Sequence, residues 1–153
     1  MIHIKRTEKD HCLQLSSYLS YDRLLNDQLQ TRCPDQPIDP HTYWRDLQTW
    51  QSSHSSRIYT ILKDQLVLGT ISLSHISLED KTAKCGYWLA SPYWGQGYGK
   101  KAFGQVLLKA RTLGLKSLTG SIDKSNHASI RLWTGKGASL ETDTERVYPK
   151  LSL

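Results

Sequence analysis

The sequence predicts an α+β fold, a mostly antiparallel sheet of about six to seven strands flanked by about four helices. Two observations carry this prediction. Three consecutive strand-like runs, 57–63, 66–77 and 84–90, are separated only by short polar turns, as in an antiparallel meander. The best helical pattern in the chain follows them at 97–113.

Each element has its own signal. Ile2 and Ile4 alternate around His3 as in a short strand, and Cys12, Leu13, Leu15 and Leu19 recur at mixed helical spacing within 8–19. The polar stretch 26–40 contains Pro34, Pro37 and Pro40, whose fixed φ and missing N–H groups predict a loop. Tyr43, Trp44, Leu47 and Trp50 then line one face of a short helix over 41–51, just after Pro40. Asp64 and Gln65 form the tight turn between the first two meander strands. In 97–113, Ala102, Phe103, Val106, Leu107, Ala110 and Leu113 fall on one helical face, and Gly114 closes the helix. A strand at 117–123, a short helix at 126–133 and two short strands within 138–153 complete the order.

Bulk properties narrow the class. A chain of 153 residues is expected to form one domain, 1–153, large enough to hold a core without staples. Cys12, Cys33 and Cys85 are odd in number and match neither zinc spacing nor CxxC, which disfavours a disulfide scaffold and fits a reducing cytoplasm. His3, His11, His41, His54, His75 and His127 are dispersed, so no metal is expected. The N-terminal residues have no continuous apolar stretch and no run approaches the ~20 residues of a membrane span, so the expectation is a soluble, unexported protein. The net charge of +6 attracts polyanions, but the basic residues are scattered, which disfavours a nucleic-acid face.

Chemistry concentrates in Ser91-Pro-Tyr-Trp-Gly-Gln-Gly-Tyr-Gly-Lys-Lys-Ala102. Gly95, Gly97 and Gly99 lie where a strand hands over to a helix N-terminus, whose unpaired N–H groups and partial positive charge suit a bulky anion. Lys100 and Lys101 oppose the helix dipole by roughly 0.3 to 1 kcal/mol each, and a bound anion reverses that sign. The bland alternative is a glycine turn with two solvated lysines. The P-loop pattern is absent, and GxGxG after a meander is not the GxGxxG of a dinucleotide fold.

Together with Asp123-Lys-Ser-Asn-His-Ala-Ser-Ile-Arg-Leu-Trp-Thr-Gly-Lys-Gly-Ala138, the run Cys85-Gly-Tyr-Trp-Leu-Ala-Ser-Pro-Tyr-Trp-Gly-Gln-Gly-Tyr-Gly resembles the Gcn5-related N-acetyltransferases (GNAT). Within that family the run looks like the branch of the ribosomal-protein alanine and serine N-acetyltransferases. The resemblance implies the GNAT fold, with the sheet splayed between strands four and five, and acetyl-CoA as acetyl donor. It implies transfer to a primary amine, of a protein N-terminus or a small molecule, by direct attack in a ternary complex. The pyrophosphate would lie on the main chain of Gln96, Gly97, Tyr98, Gly99 and Lys100, and the pantetheine arm on that of Trp88, Leu89 and Ala90. Asn126, Ser129 and Trp133 would complete the donor site.

Trp133 stands where many relatives carry the Tyr that protonates the leaving thiolate, and an indole N–H cannot act as that acid. A thiolate leaving unaided, Ser129 or a water are the alternatives. For the base, Glu79, Asp80 and His75 lie between the second and third meander strands, and Cys85 and Tyr87 alternate along the third. Glu79, Cys85 and Ser129 are the catalytic candidates. Solvated acids and an inert core cysteine are the plain alternatives. The expected partners are acetyl-CoA and an amine, with no membrane, and a homodimer is left open. A CoA-binding module without turnover is the second reading, favoured by the missing Tyr, and nucleic-acid binding is the third.

Overall fold

The computed structural model describes residues 1–153. In its first half β1 (Ile2–Arg6), β2 (Arg57–Lys63), β3 (Leu66–Ser77) and β4 (Thr82–Leu89) pair in sequence, all antiparallel. The predicted meander is therefore present, with β1 added at its outer edge. β5 (Ser117–Thr119), β6 (Ile122–Asp123), β7 (Ser139–Thr142) and β8 (Arg146–Ser152) complete one eight-stranded sheet in the order β1-β2-β3-β4-β5-β8-β6, with β7 also on β8. The helices are α1 (Cys12–Tyr21), α2 (Arg23–Gln28), α3 (Pro40–Ser53), α4 (Tyr98–Thr112) and α5 (His127–Thr134). No helix is long and apolar enough to cross a membrane.

The sheet separates two apolar layers. On one face Ala102, Phe103, Val106 and Ala110 of α4 pack against Ile61, Ile71, Cys85, Leu89 and Leu118, all buried. Burying a side chain such as Phe103 supplies about 1.5 to 3 kcal/mol, which is why this period-3.6 stripe was the clearest helical signal in the sequence. Gln105, from the same helix, satisfies the outer strand: its Oε1 accepts from Ile4 N–H (2.8 Å) and its Nε2 donates to Ile2 O (2.7 Å). On the opposite face α1 and α3 cover a smaller cluster that includes Leu15, Leu62, Val67, Tyr43 and Trp88.

Element limits differ from the sequence expectation where side chains bond the backbone locally. The first helix starts at Cys12, after a 3-10 turn at Lys9–His11, because His11 Nδ1 accepts from Glu8 N–H (3.0 Å). The loop expected from residue 26 starts later. Asp22 caps α2 by accepting from Leu25 N–H, and buried Asn26 donates to Leu19 O and Asp22 O, so helix continues through Gln28. α3 begins at Pro40 itself, where a missing N–H costs nothing, with Asp39 accepting from Thr42 N–H. β4 runs two residues earlier than expected and ends at Leu89.

The feature that organises the site is the relation of β4 to the strands beyond it. β4 is parallel to β5, but only Thr82, Ala83 and Lys84 find partners, in Ser117, Leu118 and Thr119. β5 and β6 keep a single register against β8, from Ser117↔Ser152 to Asp123↔Arg146, so they are one strand interrupted at Gly120 and Ser121, matching the expected 117–123 element. That strand leaves β4 after Thr119. On its other side β4 stays tied to β3 as far as Leu89, opposite Gly69. A Cβ on Gly69 would overlap Trp88 O and lie 2.9 Å from Leu89 Cα, both rigid main chain.

Two glycines should therefore respond oppositely to one methyl group. Gly69→Ala is expected to lower the unfolding free energy by about 2 kcal/mol or more through overpacking. Gly104→Ala, in α4 with nothing within 4 Å of the added Cβ, is expected to raise it by about 0.5 to 1 kcal/mol. Urea midpoints measured at constant m-value check both signs.

Candidate active site

Strand phase decides which main-chain groups of β4 are free. Ala90 N–H donates to Leu68 O (2.9 Å), so in the antiparallel alternation Trp88 and Gly86 turn both groups toward β3, while Ala90 O turns back to accept from Tyr93 N–H (3.0 Å). Leu89, Tyr87 and Cys85 turn theirs the other way, into the gap left by the departing β5–β6 strand. Leu89 O is taken by the indole Nε1 of Trp94 (2.8 Å). Of the three residues expected to hold the pantetheine arm, Trp88 and Ala90 are corrected: the Trp88 main chain and the Ala90 N–H belong to the β3 ladder, and Ala90 O is taken by Tyr93 N–H. Leu89 N–H remains, and Tyr87 joins it.

Beyond β4 the chain makes a 3-10 turn at Ser91–Tyr93 and enters the glycine loop. Gly95 and Gly97 have φ of +75° and +79°, the left-handed region where side chains are disfavoured, and Gly97 is the N-cap of α4. No N–H from residue 95 to 100 donates within the chain; the first amide of this segment to do so is Lys101, to Gly97 O at 3.3 Å. Gly95, Gly97, Tyr98, Gly99 and Lys100 line a cavity whose other wall includes Leu89, Trp94, Asn126 and Leu132. Gln96 lies outside this lining, its amide donating to Pro92 O (3.2 Å). Lys63 adds a third cation near Lys100 and Lys101, since its ammonium donates to Tyr98 Oη (3.0 Å) and lies 5.3 Å from that ring's centre.

A second cavity occupies the gap itself, lined by Cys85, Tyr87, Phe103, Asn126, Ser129 and Trp133 among others. Asn126 caps α5, its Oδ1 accepting from Ser129 N–H (3.2 Å), and it lines both cavities. Trp133 is buried, its ring centre 5.0 Å from that of Phe103. Its indole fits because Gly120 has no side chain, and a Cβ there would lie 2.8 Å from Trp133 Cζ2. Tyr87 lines both cavities. Its ring packs against Gly99, where a Cβ would meet Cε2 at 3.2 Å, and Ser129 lines the gap beside it. Burial raises the phenol above its ordinary range and the neighbouring Ser129 hydroxyl partly offsets this, so it stays protonated at neutral pH.

The catalytic candidates separate. Glu79 lies exposed in the turn before β4, at the end where β4 and β5 are joined, and lines neither cavity; that expectation is corrected. Asp80 and His75 likewise line neither cavity. Cys85 reaches the gap, but burial pushes its thiol up to about 12, so it is a neutral core group rather than a nucleophile. Ser129 is buried beside Tyr87. No histidine lines either cavity, and the only carboxylate is Asp123, held below the usual range by hydrogen bonds from the Ser125 hydroxyl and N–H.

The sequence reading missed the cover over the gap. Gln28, Leu29 and Gln30, at the end of α2, line the gap cavity, and Gln30 Nε2 donates across to Asp123 Oδ2 (2.9 Å). Asp22 places this segment by accepting from Ser91 N–H (2.7 Å) and Ser91 Oγ (2.8 Å), which ties α2 to the turn after β4. A carboxylate at the start of a short polar helix was the one available signal.

The acetyltransferase (GNAT) domain family matches residues 15–138, and the chain belongs to that family of acetyl-CoA-dependent N-acetyltransferases. Solved structures share the fold at low identity. An acetyltransferase from Salmonella typhimurium, yncA, with its cofactor acetyl-CoA, is 17% identical with a TM-score of 0.76, over 99% of this chain and 94% of that one. RimL, the ribosomal L7/L12 alpha-N-protein acetyltransferase, in complex with coenzyme A, is 16% identical with a TM-score of 0.81, over 99% and 94%. A spermidine N-acetyltransferase from Vibrio cholerae, in complex with CoA and spermine, is 13% identical with a TM-score of 0.80, over 99% and 95%.

Thiol chemistry tests the reading of Cys85. Burial also raises Cys12 to about 11, whereas Cys33 is only half-buried. At pH 8 the native protein should alkylate rapidly at Cys33 alone, and at all three cysteines once unfolded. Rapid alkylation of Cys85, located by mass spectrometry, would restore it as a reactive group.

Proposed function

We propose that the donor lies along the free edge of β4, with its pyrophosphate on the loop 95–100 and its thioester in the gap beside Tyr87. The observation that carries the reading is the run of N–H groups from residue 95 to 100 that donate to nothing within the chain, at the positive end of a helix and next to Lys63 and Lys100. The free N–H of Leu89 and the main chain of Tyr87 would bond the pantetheine arm. Asn126, a cap that also lines both cavities, would close the site from α5.

In this reading a neutral primary amine attacks the thioester carbonyl carbon. The C–N bond forms, the oxyanion collapses and the C–S bond breaks, releasing CoA thiolate. The ammonium proton passes to water, since neither cavity is lined by a histidine and Asp123 is too weakly basic for the task. The thiolate takes its proton from the Tyr87 hydroxyl, which water then reprotonates. Position 133 carries an indole, so β4 provides the phenol that α5 does not. The acceptor is the amine of a small molecule or a protein N-terminus, and both kinds occur among the acceptors named for the fold's relatives.

Calorimetry with acetyl-CoA and steady-state rates on Tyr87→Phe test this together. Wild-type protein should bind acetyl-CoA, and the variant should bind equally well while losing roughly 10²-fold or more in kcat. In both proteins kcat/KM should rise with pH toward the acceptor's own pKa, about 10.4 for an alkylamine, because only the neutral amine attacks. A variant with unchanged kcat removes Tyr87 as the acid, and a wild type that binds without turnover supports a CoA-binding module instead.

A further inference from the structure

A third cavity, of about 380 Å³, lies on the other face of the sheet under α3. Leu29, Tyr43, Leu47, Trp50, Ile58 and Trp88 form most of its wall, and none of its lining residues is charged. Gly86 and Tyr87 line this cavity as well as the gap, so the two spaces meet at the point where β4 loses its parallel partner.

The floor of this cavity is graded in size. Ile58, Ser72 and Gly86 stand opposite one another across β2, β3 and β4, so the side chains shrink from isoleucine to serine to none toward the β4 edge. The neighbouring row runs Thr60, Thr70, Trp88 and ends in an indole. Nothing lies within 4 Å of a Cβ built on Gly86, and its φ is not in the left-handed region, so neither backbone nor packing requires glycine there. The absent side chain leaves open a passage from this cavity to the gap. Along the same face of β4 the next residue is Lys84, an exposed cation. A second ammonium on the acceptor would find no carboxylate in the wall and a like charge beside it, at a desolvation cost nothing repays.

We infer that this cavity is the acceptor site, and that it selects a primary amine carrying one aromatic or aliphatic substituent and no second charge. The substituent lies among Tyr43, Leu47 and Trp50, and the amine points over Gly86 to the thioester. Gly86 is thus the specificity-determining residue, and Ser72 widens the same passage. This inference rests on the donor placement above.

The test compares phenethylamine and tryptamine with spermidine and a polar serine-initiated peptide, each at saturating acetyl-CoA, on wild type and Gly86→Val. Wild type should favour the two aromatic amines in kcat/KM by roughly tenfold or more. Gly86→Val, whose branched side chain suits a strand, should raise their KM by roughly tenfold or more, with thermal midpoint and acetyl-CoA affinity unchanged. If acetyl-CoA binds and spermidine or the peptide is the better acceptor, or if Gly86→Val leaves KM unaltered, the inference is overturned while the donor reading stands. If acetyl-CoA does not bind the wild type, the donor reading falls first and takes this inference with it.

Discussion

Everything at the site depends on the parting of β4 from its parallel neighbour. β4 cannot follow β5, because its other edge is held to β3 through Leu89, where Gly69 allows the two main chains to approach closely. β5 and β6 cannot follow β4, because a single register binds them to β8 as far as Asp123. The wedge between them is filled from within by Phe103 and Trp133, whose rings touch, with Tyr87 against the start of α4. The result is a strand edge inside the protein whose N–H and C=O groups are not consumed by a ladder. Buried main-chain groups demand partners, so such an edge suits a ligand with amides of its own.

The charge distribution near this edge is consistent with an anion at one end only. The loop 95–100 presents unpaired N–H groups, and Lys63, Lys100 and Lys101 gather round a helix terminus that disfavours cations by itself. At the other end the gap contains a protonated phenol, a buried serine and an indole, with the opposite charges of Asp123, tied to Ser125 and Gln30, and Arg146, tied to Ser121, at its rim. A polyanionic head and a neutral reacting end match these two environments. Asp22 links them mechanically, since one carboxylate caps α2 and holds the turn that leads to the loop.

Much of this was legible in the chain. The meander, the amphipathic stripe of α4 and the glycine loop announce themselves through local periodicity and backbone chemistry, and the family match and the parallel β4–β5 pair agree with the motif resemblance. What was not legible depends on strand phase and on contacts distant in sequence. Trp88 and Ala90 sit beside Leu89 in the motif, yet alternation turns their N–H groups toward β3, which the pairing of Ala90 with Leu68 reveals. Glu79 is a few residues from the cofactor strand but at its joined end. Tyr87 stood as one of several residues alternating along β4, and its place opposite Ser129 arises from an α5 contact some 40 residues away. Gln30 and Asp123 meet across 93 residues.

The central claim is that the N–H groups of residues 95–100 and the free edge of β4 receive the donor. Amide chemical-shift mapping with ¹⁵N-labelled protein and CoA addresses it residue by residue. The largest shifts should fall on Gly95, Gly97, Tyr98, Gly99 and Lys100, with Tyr87 and Leu89 following, while Trp88 and Ala90 move less because their amides stay in the β3 ladder. Shifts scattered over the exposed lysines, or concentrated on Trp88 and Ala90 with the glycine loop unmoved, would contradict the account.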